Sequence, residues 1–279
     1  MILYDMHTHS RFSFDSSMEM EGAADRAIEL GLSGIAFTDH LDVNYTSDGS
    51  DVYYDFGDYL RRFEEVRDKY AGRLDIVSAV EVGLQPHVVE ENVRRLSGYK
   101  FDYKIGSTHL VSRYDPYDRT YFRIEPEKHS AYRRYLREMI RNIELYHDYN
   151  TIGHFDYLIR YADYEDNAMY YREFRDEFDT LLELMIKYGL AFEVNTRSYD
   201  KTPMDAEVLR QYKARGGNTV VLGSDAHRYE RIGKRFDFFK NVIKDCGFDY
   251  IAHYRNMQPV YEKIDCAVFS QIDRSAGHI

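Results

Sequence analysis

Tryptophan is absent from this 279-residue chain, and cysteine occurs only twice, at Cys246 and Cys266. Two cysteines make no disulfide framework, which argues against a small stapled secreted fold and fits a reducing cytoplasm. No run of about 18 apolar residues exists, so no membrane span is expected. No basic segment leads into an apolar one at the start, where Asp5 and His7 stand instead, so no signal peptide is read. Positive charge is also short. The 37 Lys and Arg face 48 Asp and Glu, and the net charge is −11. That is the wrong sign for a protein that holds long nucleic acid by neutralising phosphates.

Hydrophobic residues make up 44% of the chain, enough for a substantial core. Single α/β barrels run to about 250 residues, so the length fits one domain over 1–279. Tyrosine is abundant at 27, and most tyrosines are read as packing residues on helices and loops.

A unit of short apolar run, polar residues and helix-period segment recurs along the chain. Candidate strands are 2–6, 33–38, 75–82, 103–107, 151–155, 191–195 and 219–223. Candidate helices are 19–30, 58–70, 88–96, 130–149, 168–188, 205–214 and 231–245. The segment 130–149 keeps Tyr135, Met139, Ile143 and Tyr146 on one helical face. Gly31, Gly189 and Gly216 follow helix-period segments as closing residues. Strand alternating with helix predicts a parallel α/β sheet, closed as a barrel of seven units. An open doubly wound sheet is the alternative, but no glycine-rich phosphate loop follows the first strand. The segment 250–264 reads as a short strand pair or extended finish.

The strand ends carry the chemistry. "MHTHS" places His7 and His9 after strand one, and two residues apart on an extended chain they project to one side. "FTDH" brings Asp39 and His40 to the second strand end, "AVEVG" brings Glu81 to the third, and "STHL" His109 to the fourth. "GHFD" puts His154 at the fifth, and "GSDAH" puts Asp225 and His227 at the seventh. Asp15 lies in the loop after strand one. The C-terminal ends of parallel strands are where barrel enzymes build their sites. Imidazoles and carboxylates suit Zn, Mn or Fe, and six ligand-bearing strand ends point to a multinuclear metal site. The remaining histidines, His87, His129, His147, His253 and His278, are assigned to helices, loops or the tail.

In this order and at these intervals, "HTHS", "TDH", "EVG", "STH", "GHFD" and "GSDAH" resemble the PHP (polymerase and histidinol phosphatase) family of metal-dependent phosphoesterases. The resemblance runs from about residue 1 to about residue 260 and implies a distorted (β/α)7 barrel. Within the family, the length and lack of extra domains look like its histidinol-phosphate phosphatases. The resemblance implies three divalent metal ions. His7, His9, Asp225 and Glu81 would hold the first, and Glu81 would bridge to a second on His109 and His154. Asp15, His40 and His227 would hold the third. Many histidinol phosphatases carry His where this chain has Asp15, which makes the third site harder and more anionic.

Paired divalent ions generate hydroxide near neutral pH, and a phosphate ester leaves equatorial charge that arginine's planar fork can meet. Arg160 follows the fifth strand end and Arg197 the sixth, the one strand end with no expected metal ligand. Both are read as phosphate contacts. Asp225, His227 and Glu81 are the catalytic candidates, with Asp225 and His227 as proton relays. The cationic amine and imidazole of L-histidinol phosphate call for acidic or tyrosyl partners, and Asp42 and Tyr117 in the neighbouring loops are candidates. The leading expectation is a cytoplasmic phosphomonoesterase of histidine biosynthesis, with a small phosphorylated substrate and neither nucleic acid nor membrane as partner. A phosphodiesterase or nuclease, a phosphatase for another small ester, and a non-catalytic metal-binding module are the competing readings.

Overall fold

The computed structural model describes residues 2–45 and 49–264. Cys266, His278 and part of the loop after the second strand lie outside them. The chain runs β1 (Tyr4–Thr8), α1 (Met20–Glu29), β2 (Gly34–Phe37), β3 (His40–Leu41), α2 (Phe56–Tyr70), β4 (Asp75–Gly83), α3 (Val89–Leu96) and β5 (Tyr103–Ser107). It continues through α4 (Thr120–Ile124), α5 (Lys128–Leu145), β6 (Thr151–Ile152), α6 (Arg175–Tyr188), β7 (Ala191–Asn195), α7 (Ala206–Ala214), β8 (Val220–Gly223), α8 (Phe236–Asp245), β9 (Tyr250–Arg255) and β10 (Gln258–Lys263).

Seven parallel strands follow one another in the order β1-β2-β4-β5-β6-β7-β8, and β3 adds a short pairing to β4 that sets His40 opposite Glu81. The two ends of this path then meet. The Asp225 N–H donates to the His7 carbonyl at 2.8 Å, and the His9 N–H donates to the Ala226 carbonyl at 2.9 Å. That closure excludes the open-sheet alternative and makes the expected seven-unit barrel, with helices around it.

Helix faces follow their sequence period. In α1 the buried positions are Met20, Ala23, Ala24 and Ala27; in α2 they are Phe56, Tyr59, Phe63, Val66 and Tyr70. Tyr59 and Tyr135 are fully buried, as the packing assignment of the tyrosines requires. Inside the barrel, Met6, Ala36, Ala79, Ile105, Ala191 and Val221 fill one layer. A register irregularity between Asp5 and Thr8 lets consecutive residues of β1, Met6 and His7, both serve the interior.

The antiparallel pair β9–β10 turns through Asn256 and Met257, both left-handed at φ 48° and 63°. It forms the floor of the barrel. Tyr254 joins the interior cluster and stacks on Tyr103 at 5.0 Å, His253 stacks on Tyr4 at 3.7 Å, and Arg255 donates to the Asp102 carboxylate at 3.1 Å. These partners stand at the N-terminal ends of the strands, so among the described residues the floor closes that end and leaves the opposite one open. His253 thus lies on the first strand of the pair expected over 250–264.

Three boundaries differ from expectation for local reasons. β6 ends at Ile152 because the chain turns at His154, whose φ is 20°. The expected helix 168–188 is a short 3-10 turn at Tyr171–Glu173 followed by α6, since Asp205 takes the Tyr171 N–H at 2.7 Å. α8 starts at Phe236 rather than 231 because Gly233 and Arg235 are left-handed, at φ 63° and 65°. Among the described residues no helix is long and apolar enough to cross a membrane.

One buried acid seals the barrel seam. Asp5 accepts from the Ser224 N–H at 2.9 Å, the Ser224 hydroxyl at 2.5 Å and the Gly233 N–H at 2.9 Å. Burial pushes its carboxyl up to about 6 although these donors oppose the rise. A folded value above the unfolded 3.8 means the group's contribution to stability is full below pH 3.8 and is lost as pH rises through about 6. Asp5→Asn sets amide N–H groups against donors. It is expected to cost about 1–3 kcal/mol and to flatten the pH dependence between 4 and 6, as read by urea unfolding. Unchanged midpoints at both pH values would remove Asp5 from the seam.

Candidate metal centre

Glu81 enters from β4 at the open end and is fully buried. Around it stand histidines from four strand ends. Its Oε2 lies 3.3 Å from His7 Nε2, 3.4 Å from His9 Nε2 and 3.1 Å from His40 Nδ1. Its Oε1 lies 3.2 Å from His109 Nε2 and 2.9 Å from His154 Nε2, and accepts the Ser107 hydroxyl at 2.6 Å. Asp225 Oδ1 is 3.4 Å from His9 and 3.8 Å from His7. Asp15 completes the ring at 3.0 Å from His227 Nε2 and 3.7 Å from His40 Nε2. The nine residues that the resemblance implies as ligands thus meet in one place.

The donor set suits a metal cluster. His7 Nε2, His9 Nε2 and Glu81 Oε2 are buried without a hydrogen-bond partner, and ligand atoms of these three residues lie within 4.8 Å of one another. Orphaned buried polar atoms are costly, and three that converge are explained by a cation among them. A second such group is Glu81, His109 and His154, and a third is His9, His40 and His227. The second coincides with a set implied by resemblance, and the first is three of the four residues of another, Asp225 converging instead with His7 and His154. In the third, the ring nitrogens of His40 and His227 converge with His9, and Asp15 stands at their edge.

The electrostatics are those of a buried anionic cage. Burial raises Glu81, but His7, His109 and His40 outweigh it and hold the carboxyl well below the usual range. Asp225 is likewise held low against burial, by Arg160, His7 and Arg197. Burial lowers His40, yet Glu81 and Asp42 lift it to about 10. His9 is pushed well down by burial and by His227 and His40. The carboxylates demand positive charge here, from protons on imidazoles or from divalent ions.

Backbone geometry is specialised at two cage residues. His154 at φ 20° and Asp225 at φ 51° lie in the left-handed region that favours glycine. The strain is held in place. Glu193 accepts the His154 N–H at 2.6 Å, and the Asp225 N–H is fixed on His7. Neighbouring glycines make room: a Cβ at Gly223 would stand 2.6 Å from His7 Cβ and strike Glu193.

Three residues carry roles the sequence reading missed or misassigned. Glu193, from β7, sits at the strand end thought to offer no acid to the centre. Its Oε1 accepts from His7 Nδ1 at 2.6 Å, which turns His7 Nε2 toward Glu81. The signal was an acid two residues before Asn195 in an otherwise apolar strand. Asp42, a candidate contact for a substrate amine, lines the cavity and also bonds His109 Nδ1 at 2.8 Å, with His40 Nδ1 at 3.3 Å, a role toward the cage that the sequence did not suggest. Asp39, beside His40 in sequence, turns away to the Ser10 and Ser13 hydroxyls, and Ser13 lies 2.9 Å from His9 Nδ1.

Both arginines reach the site. The Arg160 side chain is only 6% exposed and donates to Asp225 at 2.6 Å, Asn195 at 3.0 Å and Ser198 at 3.0 Å. Of its five N–H groups two remain. Arg197 is about a third exposed, and its guanidinium lies 2.8 Å from His227 Nδ1. His227 Nδ1 also lies 3.0 Å from the Asp225 carbonyl, and its Nε2 faces Asp15 at 3.0 Å. Above the cage is a cavity of about 190 Å³, with Arg160, Arg197 and His227 in one wall. Phe14, Tyr45, Asp115, Tyr117 and Tyr157 line the rest. Tyr45 donates to Asp115 at 3.0 Å, and Tyr117, well exposed, stands at the mouth.

The PHP domain family model matches residues 5–197. A "probable histidinol-phosphatase" of Clostridium acetobutylicum is 31% identical over 263 residues, covering 93% of this chain and 96% of that protein. A histidinol-phosphatase of Lactococcus lactis is 28% identical, with 91% and 95% covered. The crystal structure of histidinol phosphate phosphatase from Lactococcus lactis, complexed with zinc, L-histidinol and phosphate, matches at a TM-score of 0.87 and 28% identity. That match covers 92% of this chain and 98% of the other.

Proposed function

The chain belongs to the PHP domain family, and from that premise we propose that it is a metal-dependent phosphomonoesterase that hydrolyses L-histidinol phosphate to L-histidinol and inorganic phosphate. The observation that carries the reading is the convergence of His7, His9, Asp15, His40, Glu81, His109, His154, Asp225 and His227 beneath a small cavity walled by Arg160 and Arg197. Full-length similarity to histidinol-phosphatases supports the substrate. We assign three divalent ions to this cage, with zinc, manganese and iron all suited to its nitrogen and oxygen donors.

Bound divalent ions supply Lewis acidity and a hydroxide near neutral pH. The chain's own groups do the rest. Arg197 and the free donors of Arg160 meet the phosphate oxygens, where charge grows as the ester breaks. Arg160 also fixes Asp225, so it positions a cage residue while facing the cavity. Asp225, kept ionised by Arg160, and His227 line the cavity beside the arginines, and Glu81 joins the imidazoles at the centre. Asp115, Tyr45 and Tyr117 face the cationic amine and imidazole on the far side. A cavity of about 190 Å³ suits a small monoester better than a polynucleotide diester.

The test is phosphate release from a panel of small phosphomonoesters and diesters after loading with each metal. Histidinol phosphate is expected to lead the panel by at least about tenfold in kcat/KM, and Arg197→Ala to lose about 10²–10³-fold on it. A diester hydrolysed faster, or no release with any metal, would overturn the assignment.

A further inference from the structure

We propose that the cleft beyond the two arginines is a second oxyanion site, through which the inorganic phosphate product leaves; this rests on the phosphatase reading above. The cleft encloses about 400 Å³ and shares Arg160, Arg197, Asp225 and His227 with the reaction cavity. Beyond that shared wall the lining turns basic, with Lys201, Arg228 and Arg231, in a chain whose net charge is −11.

The acids there are largely committed. Asp225 is held by Arg160, and Asp200 is ion-paired with Arg231 and with Lys234 at 3.4 Å. Glu230 is the remaining acidic lining residue. Lys201 and Arg228 make no side-chain hydrogen bond or ion pair among the described residues. Two unpaired cations therefore stand next to Arg160 and half-buried Arg197.

The products of the reaction differ in charge, and so do the walls. Histidinol carries a cationic amine and is drawn to the tyrosyl and acidic side at Tyr45 and Asp115. Phosphate is an anion and stays within cationic lining if it moves from Arg197 to Lys201 and Arg228. A cleft with one sign of excess charge and protein walls concentrates the opposite ion. The two products thus leave by different faces.

Calorimetric titration of the metal-loaded full chain with inorganic phosphate tests this. Two phosphates per chain are expected for the wild type. Lys201→Glu with Arg228→Glu should lose the second binding step, weakened about tenfold or more, and keep the first. Lys201→Gln with Arg228→Gln serves as the milder pair, expected to weaken the same step. Phosphate should inhibit the wild type with a non-competitive component that both pairs lack. A single phosphate on the wild type, or two retained in the charge-reversed pair, would overturn the proposal. Failure of the phosphatase reading shows separately, as no phosphate release from histidinol phosphate by the wild type.

Discussion

Glu81→Ala should leave a folded barrel with less than about one-thousandth of the wild-type turnover, a barrier change of roughly 4 kcal/mol. Among the described residues no other side chain touches so many of the cage histidines. Its two oxygens reach His7, His9, His40, His109 and His154. Alanine removes the one acid common to two of the convergent groups and leaves imidazoles that repel one another once protonated. Metal content per chain should fall along with activity, and wild-type protein stripped by a chelator should show the same loss. Circular dichroism separates this from unfolding. A variant with full metal content and near-normal turnover would show that Glu81 is not central.

Glu193→Gln should weaken metal binding by about 10–100-fold, the usual consequence of losing an outer carboxylate behind a histidine ligand. Glu193 touches no substrate-facing group. It takes the His7 ring proton and the His154 backbone N–H, each at 2.6 Å, and so sets the direction of one ligand and the strained backbone of another. Glutamine keeps the size but can satisfy only one of these partners as acceptor. Titration of the apo-protein with metal against a competing chelator reads the effect directly. Equal affinity in variant and wild type would reduce Glu193 to packing.

The barrel and the cage were largely legible because both rest on local periodicity. Seven apolar runs between helix-period segments give the sheet, and His7, His40, Glu81, His109, His154 and Asp225 lie at or just after their C-terminal ends. What escaped depends on orientation across strands. Asp39 and Asp42 flank His40 in one short stretch, yet Asp39 faces serines and Asp42 faces two histidines. Nothing in composition separates them; the short β3 pairing beside Glu81 does. Glu193 was hidden for a related reason. An acid inside an apolar strand gains meaning only when the barrel closes and brings His7 across to it. Helix starts failed where left-handed residues such as Arg235 intervene, since a non-glycine residue gives little warning of that backbone state.

The barrel seam also governs when the centre can exist at all. Asp5 and Ser224 are 219 positions apart, and their hydrogen bond joins the first parallel strand to the last. A nascent chain on the ribosome carries His7 and His9 long before Asp225 and His227 have been synthesised. The cage is therefore a late product of folding, assembled only once distant contacts form, and such long-range topology folds slowly. Until that moment the early histidines lack the carboxylates of Asp225 and Glu193 that stand beside them in the closed barrel.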